Sequence, residues 1–209
     1  MSEPYRLSFT FGGLLFPESV VIAQRYRAIP DWEALKAEAI RGELLRKTRA
    51  SSRYRYFREI RDRFTAAWPF EIECIASEDI GARLAAFVIS CRYYQVLGDF
   101  VREVVRDKID MQERALSLSD YYHFQKEKRY LHPELTALSE STQAKLRQVT
   151  FRMLAEGTIL EKGREHKIIV PILPESLVSQ YEEHQDRLAL DCLLYRKDGG
   201  TNQVKGSET

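Results

Sequence analysis

Apolar residues recur along most of this chain at the three-to-four-residue spacing of a helix, and the breaks fall at prolines, glycines and small polar residues. The opening, Tyr5-Arg-Leu-Ser-Phe-Thr-Phe-Gly-Gly-Leu-Leu, reads as an extended aromatic start punctuated by Gly12-Gly13. Pro17-Glu18-Ser19 then begins a helix running to about Ala28. Asp31 is placed to cap the next, whose apolar face is Trp32, Leu35, Ala39 and Ile40 and which ends near Leu45. Ser51 and Ser52 are expected to cap a third helix over roughly 52–66, with Phe57, Ile60 and Phe64 at i, i+3, i+7 and Trp68-Pro69 as its stop.

Two more strongly periodic runs follow. Ser77-Glu78-Asp79 precedes Ile80, Leu84, Phe87, Val88 and Cys91 on one side of a helix; after Gly98-Asp99, the residues Phe100, Val101, Val104, Val105 and Ile109 mark another. Past Leu116 the pattern shortens. Ser119-Asp120 heads a short helix through Arg129, His132-Pro133 breaks it, and Ser139 to Thr142 head a helix that Gly157 terminates after Glu156. Two β-like runs, Thr158 to Leu160 and Lys167 to Leu173, flank a glycine-containing turn, and a helix over about 174–193 closes the fold. Short helix, turn, capped helix and hairpin is the order of a winged helix-turn-helix. The fold class expected is therefore mainly α, multi-helical, with helix-turn-helix-like units and a small winged-helix-like β-hairpin near the C-terminus. The division expected is an N-terminal helical domain over 1–115, a C-terminal winged-helix-like domain over 116–195, and a disordered tail over 196–209.

Composition narrows the function classes. Hydrophobic residues at 44% and charged residues at 30% are ordinary for a globular chain of 209 residues. Three scattered cysteines draw neither a disulfide framework nor a metal-ligand spacing. With no signal peptide and no apolar run long enough for a bilayer, a cytoplasmic location without membrane contact is expected. The net charge of +1 hides an asymmetry. Between Arg41 and Arg63 there are nine Lys/Arg against three acids, a local +6; the remaining 23 basic and 28 acidic residues leave −5 elsewhere. Such a concentration attracts a polyanion; the alternative is a solvated helix face whose arginines pair with acids elsewhere.

No phosphate-binding glycine loop, dinucleotide fingerprint or nucleophile elbow is present, so no enzyme, cofactor or small-molecule substrate is expected. The string Glu165-His166-Lys167 is like the Glu-x-Lys of metal-dependent nucleases. That site needs an aspartate on a preceding strand, and none occurs between Asp120 and Glu165. Binding chemistry is better represented. Arg46, Lys47 and Arg49 precede the third helix, Ser51, Ser52 and Arg53 lie at its start, and Arg55 and Arg58 point away from its apolar side. On the helix after Ser139, Ser141, Lys145, Gln148 and Arg152 form a polar stripe at i, i+4, i+7, i+11, residue types suited to phosphates and base edges. Lys162, Arg164 and Lys167 are the candidates on the expected wing.

Several of these segments together resemble a known family. Tyr5-x-Leu-Ser-Phe-Thr-x-Gly-Gly-Leu-Leu with Glu18-Ser19, Arg49-Ala-Ser-Ser with Arg58-Glu-Ile, His132-Pro-Glu-Leu, and Ser141-Thr-x-x-Lys-Leu-Arg-Gln-Val-x-Phe-Arg-Met-Leu are similar to the BrxA family of BREX systems, which defend bacteria against phage. The likeness extends to about Leu173. It implies a small, helical accessory protein that binds double-stranded DNA alongside other BREX subunits, with a similarity to helical RNA-binding antitermination factors. Two other readings stay open at this point: an RNA-binding factor, with Tyr54, Tyr56 and Phe57 inside the basic segment, and an adaptor that docks protein partners.

Overall fold

The computed structural model describes residues 4–8, 12–163 and 165–196, and among them the regular structure is helical. The chain forms two compact units, one built from Leu15–Ile89 and the other from the N-terminal residues to Leu14 together with Ser90 onward.

The first unit contains α1 (Phe16–Ala28), α2 (Trp32–Arg41), α3 (Ala50–Phe64), α4 (Pro69–Ala76) and the start of α5 (Ala82–Tyr93). α2 begins where Asp31 accepts the N–H groups of Glu33 and Ala34, and it stops at Gly42, whose φ of 93° belongs to the left-handed region that ends helices. α3 starts two residues earlier than the serines suggest. Arg49 holds the capping position, so Ser51 and Ser52 lie in the first turn. Half-buried Trp32 stacks on Tyr26 at 4.2 Å and meets Phe57 and Phe64 of the core edge-on at 6.2 and 6.3 Å. Trp68-Pro69 stops nothing; it opens α4, with Pro69 in the first turn and the buried Glu71 carboxylate accepting the Trp68 N–H at 2.7 Å. Ile80, expected on the buried side of the next helix, precedes it and is 91% exposed.

The second unit carries the end of α5, α6 (Gln95–Phe100), a π-helical turn (Val101–Val105), α7 (Arg106–Asp110), α8 (Leu118–Lys128), a 3-10 turn (Pro133–Leu135), α9 (Glu140–Glu156), α10 (Glu175–Glu183) and α11 (Arg187–Cys192). Phe100 packs on Tyr121, Phe124 and Phe151, so helices on both sides of residue 115 share one aromatic core. The final helix is two, separated at His184–Asp186, where Gln185 takes a φ of 52°. The tail beyond Arg196 lies outside the described residues.

The winged-helix hairpin is not formed. Among the described residues there is no β-strand, only the isolated antiparallel bridges Leu160↔Ile168 and Ala115↔Lys167. The backbone interrupts a ladder here. Thr158 and His166 adopt φ values of 63° and 47°, outside the extended region. The segment over 166–169 also divides its hydrogen bonds, receiving Leu116 N–H and giving to Arg114 on one side while pairing with Ile159 and Glu161 on the other.

The N-terminal residues are held by α9 and by the turns near Leu135. Arg152 donates to the Gly12 carbonyl at 2.7 Å and Glu156 accepts the Leu14 N–H at 2.5 Å. Gly13 has a φ of 157°, which L side chains rarely adopt, and a Cβ there would meet the same carboxylate at 2.5 Å and displace it. Tyr5 stacks on His132 at 3.6 Å, and its N–H donates to Glu134 at 2.6 Å. Burial raises the Glu134 carboxyl, but the N–H groups of Tyr5 and Glu134 and the His132 ring outweigh it and hold the carboxyl below 4.5. A depressed carboxyl stabilises the fold fully above its ordinary value and ceases to do so as pH falls through the folded-state value. Melting temperatures taken from pH 6 down to pH 3 should therefore fall less steeply for Glu134→Gln than for the wild type.

Candidate nucleic-acid interface

α3 presents opposite faces of opposite character. Phe57, Ile60 and Phe64 are buried, whereas Ser51, Arg55 and Arg58 face solvent one turn apart. The nine cations of the basic segment then divide by what each touches. Arg41 pairs with Glu43, Arg61 with Asp62, and Arg63 with Glu59 inside the core. Lys47 reaches Glu18 at 2.8 Å and lies 4.4 Å from the centre of the Tyr56 ring; the Glu18 carboxylate raises its pKa.

Arg53 does structural work. Its guanidinium donates to the carbonyls of Ile40, Lys47 and Thr48 at 2.7–3.0 Å, which ties the end of α2 and the following loop to α3. Helix-terminal carbonyls lack partners within their own helix, and a planar five-donor group satisfies several at once. Ser52 is half-buried. Besides Arg41, which is exposed but held by Glu43, the exposed cations are Arg46 and Arg49 on the loop into α3, and Arg55 and Arg58 on its outer face. Arg46, Arg49 and Arg58 make no ion pair among the described residues.

In the other unit, α9 matches its sequence pattern closely. Ser139 caps it by accepting the Thr142 N–H; Leu146, Val149, Phe151, Met153 and Leu154 are buried. Ser141, Lys145, Gln148 and Arg152 are all exposed along one stripe. Lys145 donates to the Gln148 side chain at 3.0 Å, and Arg152 is the member also engaged with Gly12. Lys162 is exposed on a bend. Lys167 is exposed and pairs with Glu165 at 2.9 Å, which draws both members of the nuclease-like string to each other on the surface. Arg164 lies outside the described residues. No group of three His, Cys, Asp or Glu side chains is placed to hold a metal ion among the described residues. Among those residues, too, no helix is long and apolar enough to cross a membrane.

Fold and surface together define a small multi-helical protein with cation-bearing helix faces, one in each unit. The family model BrxA matches residues 3–185, and the chain belongs to that family. It is 28% identical over 185 residues to the BREX protein BrxA of Escherichia coli O9:H4 (strain HS), covering 86% of this chain and 85% of that protein. The crystal structure of an uncharacterized protein from Magnetospirillum magneticum has the same fold, with a TM-score of 0.75 at 22% identity over 91% of this chain and 98% of that one.

Proposed function

We propose that this chain is a non-catalytic, cytoplasmic component of a BREX phage-defence assembly that binds double-stranded DNA, while other subunits supply the enzymes. Membership in the BrxA family supports the assembly. The observation that carries the DNA reading is the group of exposed arginines, Arg46, Arg49, Arg55 and Arg58, around the start and outer face of α3. Arg55 and Arg58 project from a helix fixed by its buried face, and Arg46 and Arg49 lie on the loop that leads into it, so their backbone needs little ordering to meet a phosphate backbone. In the second unit, α8, the turn after it and α9 act as a helix-turn-helix-like pair. The stripe of Ser141, Lys145, Gln148 and Arg152 is then the reading face, with Gln148 suited to adenine.

Salt dependence tests the reading directly. Four phosphate contacts give a slope of about −3.6 in log affinity against log salt, so affinity should fall about 150-fold between about 50 and 200 mM. Replacing Arg46, Arg49 and Arg58 together by alanine should weaken binding and flatten that slope by about 2.7 while leaving the melting temperature in place. A gel shift with duplex DNA, structured RNA and no nucleic acid, repeated across salt, supplies the measurement. Binding that ignores salt, or that survives the triple substitution unchanged, overturns the proposal.

A further inference from the structure

α8 and the turn that follows present two aromatic rings to solvent that the fold itself does not use. Tyr122 is 53% exposed and Tyr130 85%, although Tyr121 and Phe124 on the same helix are buried. The backbone stays close to helical as far as residue 131: Tyr130 N–H donates to the Glu127 carbonyl, and Leu131 and His132 donate to that of Lys128. Tyr122, Lys126 and Tyr130 therefore stand one turn apart on one side, at i, i+4 and i+8, spanning about 12 Å along the axis. Lys126 is exposed and makes no ion pair among the described residues, and Glu127 points about 100° away from it.

The surroundings hold this stripe rigid. Lys128 pairs with Glu103 at 2.5 Å, Arg129 donates to Gln143 in the first turns of α9 at 2.6 Å, and the His132 ring is buried against Tyr5. The residues beside Tyr130 are thus fixed to three other segments, and its ring is left facing outward. Duplex DNA offers phosphates and groove edges but hides its base faces, so exposed rings have nothing to stack on there. A single strand alternates flat, uncovered bases with charged phosphates, and ring, cation, ring is its complement. We infer that the Tyr122–Lys126–Tyr130 stripe binds single-stranded DNA through base stacking. The protein then prefers DNA in which a duplex adjoins an unpaired strand. This rests on the DNA-binding reading of α9, but the two separate in the test.

Affinity is measured by fluorescence anisotropy at one salt concentration for three probes: a blunt duplex, the same duplex with a single-stranded thymidine tail, and oligothymidine alone. The wild type should favour the tailed duplex over the blunt one by about tenfold or more. Tyr122→Ala and Tyr130→Ala should each weaken binding of the tailed duplex and of oligothymidine by about tenfold, with blunt-duplex affinity and melting temperature unchanged. Tyr130→Phe, which keeps the ring, should bind as the wild type does. Equal affinity for tailed and blunt duplexes overturns the inference alone and returns the stripe to a protein partner, as does an alanine variant that binds oligothymidine normally. Equal losses on all three probes overturn it too. Ring-dependent binding of oligothymidine with none of the blunt duplex upholds it and overturns the duplex reading, and no binding of any probe overturns both.

Discussion

Replacing Phe57 by alanine is expected to destabilise the protein by about 3–5 kcal/mol, because the ring is fully buried where three helices meet. Trp32 meets its ring at 6.2 Å and is itself packed on Tyr26 and Phe64, so it does not close the gap without losing those ring contacts. The loss includes the transfer energy of a benzyl group and the cavity left behind. In a chain of this size it should lower the melting temperature by roughly 10 °C or more. Urea or thermal unfolding of the variant checks this. A variant that melted like the wild type would mean that α3 does not turn this side to the core, and the outward placement of Arg55 and Arg58 would fall with it.

Much of this was legible from periodicity. α9 was readable at both ends and on both faces, because Ser139 and Gly157 punctuate it and its five apolar residues leave one stripe for Ser141, Lys145, Gln148 and Arg152. α4 was hidden because Trp68-Pro69 looks like a stop, although proline in a first turn with glutamate three residues after the cap is equally a start. The pairing around the expected hairpin has a part that local pattern does not show. Its second segment is shared between 159–161 and 114–116, and such a partner is invisible to a rule that pairs neighbouring β-like runs.

The basic segment shows the same limit in charge rather than shape. Arg53 and Arg58 are the same residue on the same helix, yet one serves the carbonyls of Ile40, Lys47 and Thr48 and the other faces solvent. Counting gives the total of nine cations, but not which of them Glu18, Glu43, Glu59 and Asp62 neutralise. The partner Glu18 is 29 residues from Lys47 and lies on another helix. Exposure and pairing after folding decide which arginines can meet a polyanion, and Arg46, Arg49 and Arg58 are exposed without an ion pair among the described residues.

Arg63 marks the other extreme of that division, and its removal should rival that of Phe57. It is 3% exposed and donates to Glu59 one turn earlier at 2.9 Å. Burial pushes the Glu59 carboxyl above its usual range, and Arg63 is the main influence opposing that rise. Arg63→Ala removes the opposition and leaves a buried carboxylate that must either stay charged without its cation or take up a proton. Breaking a buried pair from one side costs about 3–5 kcal/mol. Denaturant unfolding should show that loss for Arg63→Ala, whereas Arg58→Ala should stay within about 0.5 kcal/mol of the wild type and lose DNA affinity instead. If Arg63→Ala unfolded like the wild type, the pair would contribute nothing to the core and Arg63 would belong with the solvent-facing arginines.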